Sequence, residues 1–117
     1  MSDRAALATA LFEAINGKDL ESAAALLHPD ADWQDVFNGG RLRGRDTVRA
    51  YWGQVFGQIA LTATVLDLKA QGDDRLVMTA LYTVHDRSGK LWGEDVFTHI
   101  FTFRDGLISG MDAPTRA

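Results

Sequence analysis

The hydrophobic pattern of this chain changes its period once, near Leu61. Before that point apolar residues recur at three- and four-residue spacing, the period of a helix that buries one face. After it come runs of about ten residues rich in Thr, Val, Leu, Phe and Tyr, separated by polar turns that contain glycine or aspartate. Helices followed by strands predict an α+β fold, and 117 residues suit a single domain over 1–117.

Three helices are predicted in the first half of the chain. Each has apolar residues at the i, i+3 and i+4 positions of one helix face. Asp19 can cap the second helix, and Pro29 prevents its continuation. The apolar stripes of the three predicted helices cover residues 7–15, 20–27 and 48–59.

Five strands are predicted, four of them in an unbroken series after the third helix. The turns between these four are short, and Asp105-Gly106 is a strong hairpin signal because the pair tolerates positive φ. Consecutive strands joined by tight turns predict an antiparallel sheet. In chain order the five strands cover 31–36, 61–70, 75–85, 91–104 and 107–112.

The long strand 91–104 is apolar on both of its faces. Phe97 and Phe101 alternate on one face, while Val96 and Ile100 alternate on the other. One face can pack on the helices, and the other then needs a second cover. A homodimer through the outer sheet face is therefore predicted. The alternative is a solvated face of threonines with scattered apolar neighbours.

Composition excludes several kinds of partner. The chain has 16 acidic and 12 basic residues, a net charge of −4, and no run of Lys or Arg that could neutralise several phosphates, so no nucleic-acid partner is expected. Every apolar segment is shorter than the roughly 18 residues of a membrane span, and the first residues lack the apolar core of a signal peptide. We therefore expect no membrane association and a cytoplasmic location.

Metal and cofactor chemistry are not indicated. The chain has no cysteine, which removes disulfides, thiolate catalysis and cysteine zinc ligands together. His28, His85 and His99 stand 57 and 14 residues apart in the sequence and belong to no metal-binding motif. Any chemistry must use carboxylates, histidines or hydroxyls, and no cofactor and no metal are predicted.

The order of these stretches resembles a known family. The segments that carry the resemblance are FEAINGKDLESAAALLHPDADWQD, a glycine turn, GRDTVRAYW, and a meander that ends in THIFTFRDGLIS. They resemble the nuclear transport factor 2-like superfamily, in its SnoaL-like and ketosteroid isomerase-like branch, over essentially the whole chain. The resemblance implies a nuclear transport factor 2-like, or cystatin-like, fold. In it a cone-shaped curved antiparallel sheet wraps over three N-terminal helices, encloses an apolar pocket and commonly dimerises through its outer face.

The resemblance also implies candidate site residues. In ketosteroid isomerases an aspartate base moves a proton while a tyrosine and a protonated aspartic acid stabilise the reacting oxygen. Asp35 falls on the position of the base, His99 on that of the protonated acid, and Leu11 on that of the tyrosine. His99 would therefore donate a hydrogen bond to a developing oxyanion or share proton transfer with Asp35. Tyr51 and Tyr82 are the tyrosines that could replace the missing donor.

The residues around the two candidates bear on the same question. Asp35 shares its strand face with Trp33, and an indole beside a carboxylate lowers the local dielectric in a way that suits a base. An aspartate before a glycine turn is, alternatively, a solvated strand end or turn acceptor. His99 lies between phenylalanines on its face, where the ordinary interpretation is a hydrogen-bonded core histidine. The predicted substrate-binding residues are Leu11, Trp33, Trp52, Phe56, Phe97 and Phe101.

Two functions are compatible with these residues. The first is a pocket for a small hydrophobic, cyclic carbonyl compound, with Asp35 and His99 as catalytic residues of a cofactor-independent isomerase, dehydratase or cyclase. The second is a non-catalytic ligand-binding or dimerisation module of the same fold, which Leu11 favours. Losing one oxyanion donor costs about 2.7–4 kcal/mol, or about 100- to 1,000-fold in rate, so strong ketosteroid isomerase activity is not expected.

Overall fold

The structure is a computed structural model that describes residues 3–35, 39–72 and 74–114. These residues form three helices and six strands. No helix among them is long and apolar enough to cross a bilayer. In chain order the elements are α1 Asp3–Asn16, α2 Leu20–Ala25, β1 Leu27–Gln34, β2 Arg41–Arg43, α3 Arg45–Phe56, β3 Ala60–Gln71, β4 Arg75–His85, β5 Leu91–Arg104 and β6 Leu107–Asp112.

The six strands form one curved, open sheet in the order β2-β1-β6-β5-β4-β3. Neighbouring strands are antiparallel except β1 and β6, which are parallel. A parallel pair needs a long connection, and here α3 and the β3-β4-β5 meander supply it. The predicted α+β fold, a curved sheet over three helices, is confirmed, with one parallel pair in a sheet that was expected to be antiparallel.

The boundary between α2 and β1 differs from the prediction. The helix ends at Ala25, because Leu27 is already in β1 and pairs with Ile108 of β6. Leu27 is fully buried as the first residue of β1, and it would also be buried on the inner face of a longer α2. Its helical spacing therefore did not distinguish a helix from a strand at this position. Pro29 therefore lies inside a strand, where the pairing with β6 is interrupted between Leu27 and Asp32 and no amide donor is required.

The short edge strand β2 was not predicted. It has three residues and pairs with the end of β1, and a segment of that length shows no readable alternation. The turn expected before it is only partly described. Gly39 and Gly40 both have φ of 84°, which glycine adopts without steric cost. Val36 of the predicted strand and Asn38 of the predicted turn lie outside the described residues.

The helices pack on the inner face of the sheet and form the core with it. Along β4 the alternate residues are buried, as expected for a strand with one face on the core. Leu11 of α1 is completely buried within this core. The inward side chains of the central strands are Leu76, Met78, Ala80 and Tyr82 from β4 and Phe97, His99, Phe101 and Phe103 from β5.

The outer face of the same strands also carries apolar side chains. Val77 pairs with Ile100, and Leu81 pairs with Val96, which is 43% exposed. Threonines lie between these pairs. Strand 91–104 thus has two apolar faces, and the homodimer that this pattern suggested stays a prediction.

Candidate functional site

A small cavity lies between the helices and the inner face of the sheet, and we term it the inner chamber. Its volume is about 40 Å³, which is room for about three water-sized groups when one needs about 10–15 Å³. Aromatic rings form most of its wall, namely Phe12, Trp33, Trp52, Phe56 and Phe101. Its polar side chains are Gln34, Tyr51, Tyr82 and His99.

A larger and more open recess adjoins the inner chamber, and we term it the outer chamber. Its volume is about 600 Å³, within the range of about 300–1,000 Å³ that is usual for small-molecule sites. Tyr51, Val55 and Tyr82 line both spaces, so the two chambers adjoin at these three side chains. Phe97 and Trp92 also line the outer chamber.

The central polar feature of the site is a hydrogen-bonded pair, Tyr82 and His99. The Tyr82 hydroxyl lies 2.7 Å from Nε2 of His99. Tyr82 is on β4 opposite Asp95, and His99 is on β5 opposite Met78, so the two residues are offset by four positions in the register and their side chains meet diagonally across two adjacent strands. Both side chains alternate onto the inner face, and His99 is only 2% exposed. The antiparallel register therefore places a phenol and an imidazole side by side in an apolar wall.

The other nitrogen of His99 faces a sulfur atom. Nδ1 lies 3.3 Å from Sδ of Met111 on β6, which also lines the inner chamber. Phenylalanine rings enclose the remaining surface of the imidazole. Phe12 lies edge-on with centroids 5.7 Å apart, and Phe101 is stacked with centroids 5.9 Å apart. The ring is thus held by one hydroxyl, one thioether and aromatic surfaces.

Burial sets the charge state of the pair. Desolvation lowers the pKa of His99 to about 4, because the buried imidazolium loses its hydration. Desolvation also raises the pKa of the Tyr82 phenol, and nearby Tyr51 contributes to the increase. Both groups are therefore neutral at pH 7. In this state the pair can exchange hydrogen bonds with a ligand, but His99 is a weak base.

Gln34 contributes little free hydrogen-bonding capacity to the inner chamber. Its side-chain amide nitrogen donates to the Ala113 carbonyl at 2.8 Å, and its amide oxygen accepts from the Ala113 N–H at 2.9 Å. This reciprocal pair ties the end of β1 to the segment after β6. Tyr51, Tyr82 and His99 are the other polar side chains of the inner chamber, and Tyr51 and Tyr82 also line the outer one.

Asp35 lies immediately after β1 and is buried. Ala31, Trp33 and Asp35 are the buried alternate positions, as the strand parity of Asp35 and Trp33 predicted. The Asp35 N–H donates to the Gly40 carbonyl, and its own carbonyl accepts from the Gly39 N–H, so Asp35 opens the turn into β2. Its neighbours Trp33 and Gln34 line the inner chamber, and Asp35 itself does not. His99 therefore lines the inner chamber, whereas Asp35 is buried next to the wall residues Trp33 and Gln34 without lining the chamber itself.

Five of the six predicted substrate-binding residues line one of the chambers, and one does not. Trp33, Trp52, Phe56 and Phe101 line the inner chamber, and Phe97 lines the outer one. Leu11 is in the core and lines neither space. Within residues 3–35, 39–72 and 74–114 there is no cluster of three or more His, Asp or Glu side chains that could hold a metal ion.

Sequence reasoning missed Met111 and Gln34, and it did not pair Tyr82 with His99. The alternation of β4 was sufficient to place Tyr82 on the inner face. Its hydrogen bond to His99 depends on the register of β4 and β5, in which Tyr82 is opposite Asp95 and His99 is opposite Met78. A methionine at the last position but one of a short strand carries no recognisable signal.

Solved structures with the same fold are numerous, and three illustrate their range. A nuclear transport factor 2-like protein of unknown function from Burkholderia pseudomallei K96243 is 24% identical, with 99% of this chain and 92% of that chain covered and a TM-score of 0.85. A Mycobacterium tuberculosis protein in complex with estradiol-17β-hemisuccinate is 17% identical, with 99% and 95% covered and a TM-score of 0.85. An LEH-like epoxide hydrolase of the same organism is 17% identical, with 97% and 82% covered and a TM-score of 0.84.

These identities are too low to transfer an activity, and they show the fold alone. No curated protein sequence matches the chain. The sequence pattern of one family does match, and it covers residues 8–111, nearly the full length. The match includes α2, α3, residues 8–16 of α1, both chambers and the Tyr82–His99 pair. The chain therefore belongs to the SnoaL-like domain family, within the nuclear transport factor 2-like proteins.

Proposed function

We propose that this SnoaL-like chain binds a small, cyclic, mainly apolar carbonyl compound and transfers a proton on it. The ring occupies the outer chamber, and its oxygen reaches the Tyr82–His99 pair in the inner chamber. Isomerisation, dehydration and ring closure are the reaction types that such a proton transfer serves, and none of them requires a cofactor. The observation that carries the proposal is the buried Tyr82–His99 hydrogen bond at a cavity with aromatic walls.

The position of the pair favours a ligand contact over a purely structural role. A polar pair buried in an apolar core gives little net stability over an apolar replacement of the same shape. A histidine that serves only the core would be expected in solid packing. Here Tyr82 lines both chambers and His99 lines the inner one, beside a recess of about 600 Å³. A ligand in that recess would meet Tyr82 on the side of the inner chamber, and the other polar side chains of the recess are Tyr51, Gln54, Gln58, Glu94 and Asp95.

Similar structures support a ring compound as the ligand. The Mycobacterium tuberculosis protein named above was solved with estradiol-17β-hemisuccinate, so the fold holds a multi-ring molecule in that protein. In this chain the rings of Tyr51, Trp92 and Phe97 line the outer chamber and offer flat apolar surfaces on which such rings pack.

We assign the role of general base to Asp35. Tyr82, which is hydrogen-bonded to His99, contacts the oxygen of the ligand. Asp35 is 7% exposed and directly follows two wall residues, so a ligand that fills the inner chamber lies beside the end of β1. His99 is poorly suited to be the base because burial lowers its pKa to about 4. Asp35 is the other buried side chain near this wall that can accept a proton.

Exchange of solvent deuterium into a panel of cyclic ketones tests the catalytic proposal. The Asp35→Asn variant is expected to lose exchange by about 100-fold or more, the usual contribution of a general base. Asp30→Asn is the matched control, because Asp30 is on the same strand and exposed. Unchanged exchange in Asp35→Asn, for ketones that do bind, would rule out this residue as the base.

A non-catalytic ligand-binding module is the second candidate. It is favoured by Leu11, a buried core residue where the resemblance implies the tyrosine donor, and by the position of Asp35, which does not line the inner chamber. This candidate predicts binding of ring compounds with no deuterium exchange in any of them. The same panel therefore distinguishes the two functions when binding is measured separately by calorimetry.

We further propose that a second copy of the chain covers the outer sheet face. Val77, Leu81, Val96 and Ile100 form an apolar patch there, and Val96 is 43% exposed. Sedimentation of the chain at micromolar concentration should give a dimeric mass, and Val96→Glu should give a monomeric one. A monomer for the unmodified chain would refute this interface.

A cytoplasmic location is part of the same proposal. It is supported by a chain with no cysteine and with a net charge of −4. Fractionation of cells that express the full chain with a detectable tag should place it with the cytoplasmic proteins. Recovery in the membrane or exported fraction would contradict the location.

A further inference from the structure

We infer that Met111 sets the hydrogen-bonding direction of this site, so that Tyr82 accepts a hydrogen bond from the ligand. The site should therefore select ring compounds that carry a hydroxyl, such as phenols and enols, over ring ketones and ethers. This inference deepens the proposed function and rests on it, since it requires that a ring compound enter the chambers, and it narrows the carbonyl compound proposed above to one that is bound as its enol. The site prefers the enol to the keto tautomer of such a ligand, and Met111 is a positioning residue that acts through His99.

The first step concerns Met111 and His99. Sδ of Met111 lies 3.3 Å from Nδ1 of His99, within hydrogen-bond distance for sulfur. A thioether has lone pairs and no proton, so it can only accept. The contact is a hydrogen bond only when Nδ1 carries the proton. Since a neutral imidazole has a single N–H, Nε2 is then an acceptor.

The second step concerns Tyr82. Its hydroxyl oxygen lies 2.7 Å from Nε2, and an unprotonated Nε2 requires the phenol to donate. The single proton of the Tyr82 hydroxyl is thereby committed to His99. The oxygen keeps lone pairs, and Tyr82 lines both chambers. A ligand hydroxyl can donate to this oxygen, whereas a ketone or ether oxygen would face it acceptor to acceptor.

The third step concerns the charge of His99. An imidazolium would donate from both nitrogens and release the Tyr82 proton for a ligand. The rings in contact with His99 come from α1, β4 and β5, namely Phe12, Tyr82, Phe97 and Phe101, and none of them carries a charge at pH 7. From α3, Tyr51 lies near enough to Tyr82 to influence it electrostatically. The surroundings thus favour the neutral ring.

The opposite tautomer shows why Met111 matters. With the proton on Nε2, His99 would donate to Tyr82, and Tyr82 would offer its own proton to a ligand carbonyl. The Nδ1 lone pair would then face the lone pairs of sulfur, and the hydrogen bond between these two atoms would be lost. Leucine has nearly the volume of methionine and no lone pair, so Met111→Leu removes the preference while filling the space.

Nitrogen-15 NMR of the full chain at pH 7 tests the tautomer directly. The expected spectrum shows the one-bond proton coupling of His99 on Nδ1 and none on Nε2. Met111→Leu should shift the population toward the Nε2 tautomer. Met78→Leu is the matched control, because Met78 is a buried methionine opposite His99 in the strand register, and it should leave the spectrum unchanged. A predominant Nε2–H form in the unmodified chain would overturn the inference.

Binding of three probes tests the selectivity, namely 2-naphthol, 2-methoxynaphthalene and naphthalene. The unmodified chain should bind 2-naphthol about tenfold more tightly than 2-methoxynaphthalene, the contribution of one buried hydrogen bond. Tyr82→Phe should abolish the difference, because the accepting oxygen is gone. Met111→Leu should reduce it, and Met78→Leu should keep it. A general loss of packing would weaken all three probes alike and leave their ratio intact.

The outcomes separate this inference from the proposed function. Equal binding of 2-naphthol and 2-methoxynaphthalene by the unmodified chain overturns the inference and leaves the ring-binding pocket standing. An unaltered ratio in Met111→Leu refutes the role of Met111. Binding of none of the probes refutes the pocket itself, and the inferred selectivity with it.

Discussion

The inner and outer faces of β4 and β5 are built from alternate residues of the same two strands, yet they differ in how deeply they bury side chains and in how their polar groups are hydrogen-bonded. The inner face buries His99 and Phe101 almost completely, while the outer face leaves Val96 43% exposed. Polar groups on the outer face can hydrogen-bond with water. Those on the inner face must pair with each other, as Tyr82 and His99 do at 2.7 Å.

This difference locates the chemistry of the domain. A polar pair enclosed by aromatic rings has its charge state set by burial, and it recognises a ligand with fixed directionality. A solvated polar group on the outer face has neither property. Variants that change one face and leave the other intact therefore measure how far the two faces differ.

The largest effect is expected from truncation of Phe101 on the inner face. Phe101→Ala should lower the free energy of unfolding by about 3–5 kcal/mol, because the side chain is fully buried and leaves a cavity. Val96→Ala, on the outer face of the same strand, should change it by about 0.5 kcal/mol or less in dilute protein. Urea unfolding measures both. Equal losses would show that the outer face is as tightly packed as the inner one.

The next effect is a dependence of stability on pH that comes from His99. Burial lowers the pKa of folded His99 from 6.5 to about 4, so between these values the unfolded chain binds more protons. The contribution of neutral His99 to the free energy of unfolding is complete above pH 6.5 and is lost as the pH falls towards 4. Its size is roughly 3 kcal/mol, at 1.36 kcal/mol for each pH unit.

The measurement for this effect is urea unfolding between pH 4 and pH 7. Carboxylates contribute to the pH dependence of any protein, so the informative quantity is the difference between the unmodified chain and His99→Gln. That variant should show a clearly shallower slope over this range. Parallel slopes would mean that His99 titrates alike in the folded and unfolded chains, and that the inner face does not exclude water from it.

A smaller difference is expected between two hydrogen bonds on opposite faces of β4, made by the adjacent residues Tyr82 and Thr83. Tyr82→Phe leaves Nε2 of buried His99 without its partner and should cost about 1–3 kcal/mol. Thr83→Val removes a hydrogen bond to Glu94, 3.1 Å long and exposed, and should cost about 0.5 kcal/mol or less. Thermal unfolding measures both variants. A larger loss for Thr83→Val would reverse the assignment of the two faces.

The smallest effect is expected at the sheet edge, where Arg41 forms ion pairs with Asp32 and Asp112 at 2.9 and 2.5 Å. These groups are partly exposed, so water and salt screen their attraction. Arg41→Gln should cost less than about 1 kcal/mol, and the loss should shrink further in 1 M salt. A loss that is large and independent of salt would show that this edge behaves like the inner face.

Much of the fold could be predicted from the periods of the sequence. The strands expected at 75–85, 91–104 and 107–112 are those observed, because long alternating runs between clear turns have one consistent interpretation. The α2–β1 boundary was wrong because Leu27 is buried in either structure. The edge strand β2 was missed because three residues carry no periodicity.

The sequence predicted which side chains of the candidate site are buried but not which of them meet, and this difference has a physical cause. Side-chain parity along a strand is a local property, and it placed His99, Phe101, Asp35 and Trp33 on buried faces correctly. Which buried groups meet is a property of register. The partner of His99 is Tyr82, 17 residues earlier, and the proposed catalytic partner Asp35 does not line the inner chamber.

The sequence by itself determined the class of this protein: helices before strands, an α+β domain of the SnoaL-like family, and no cysteine chemistry. Those features follow from local periodicity and composition, which any segment displays on its own. Only the tertiary structure decided that a phenol, an imidazole and a thioether from β4, β5 and β6 meet in one apolar chamber. The reason is that strand register joins residues distant in sequence, and a shift of one residue would turn these side chains to the opposite face.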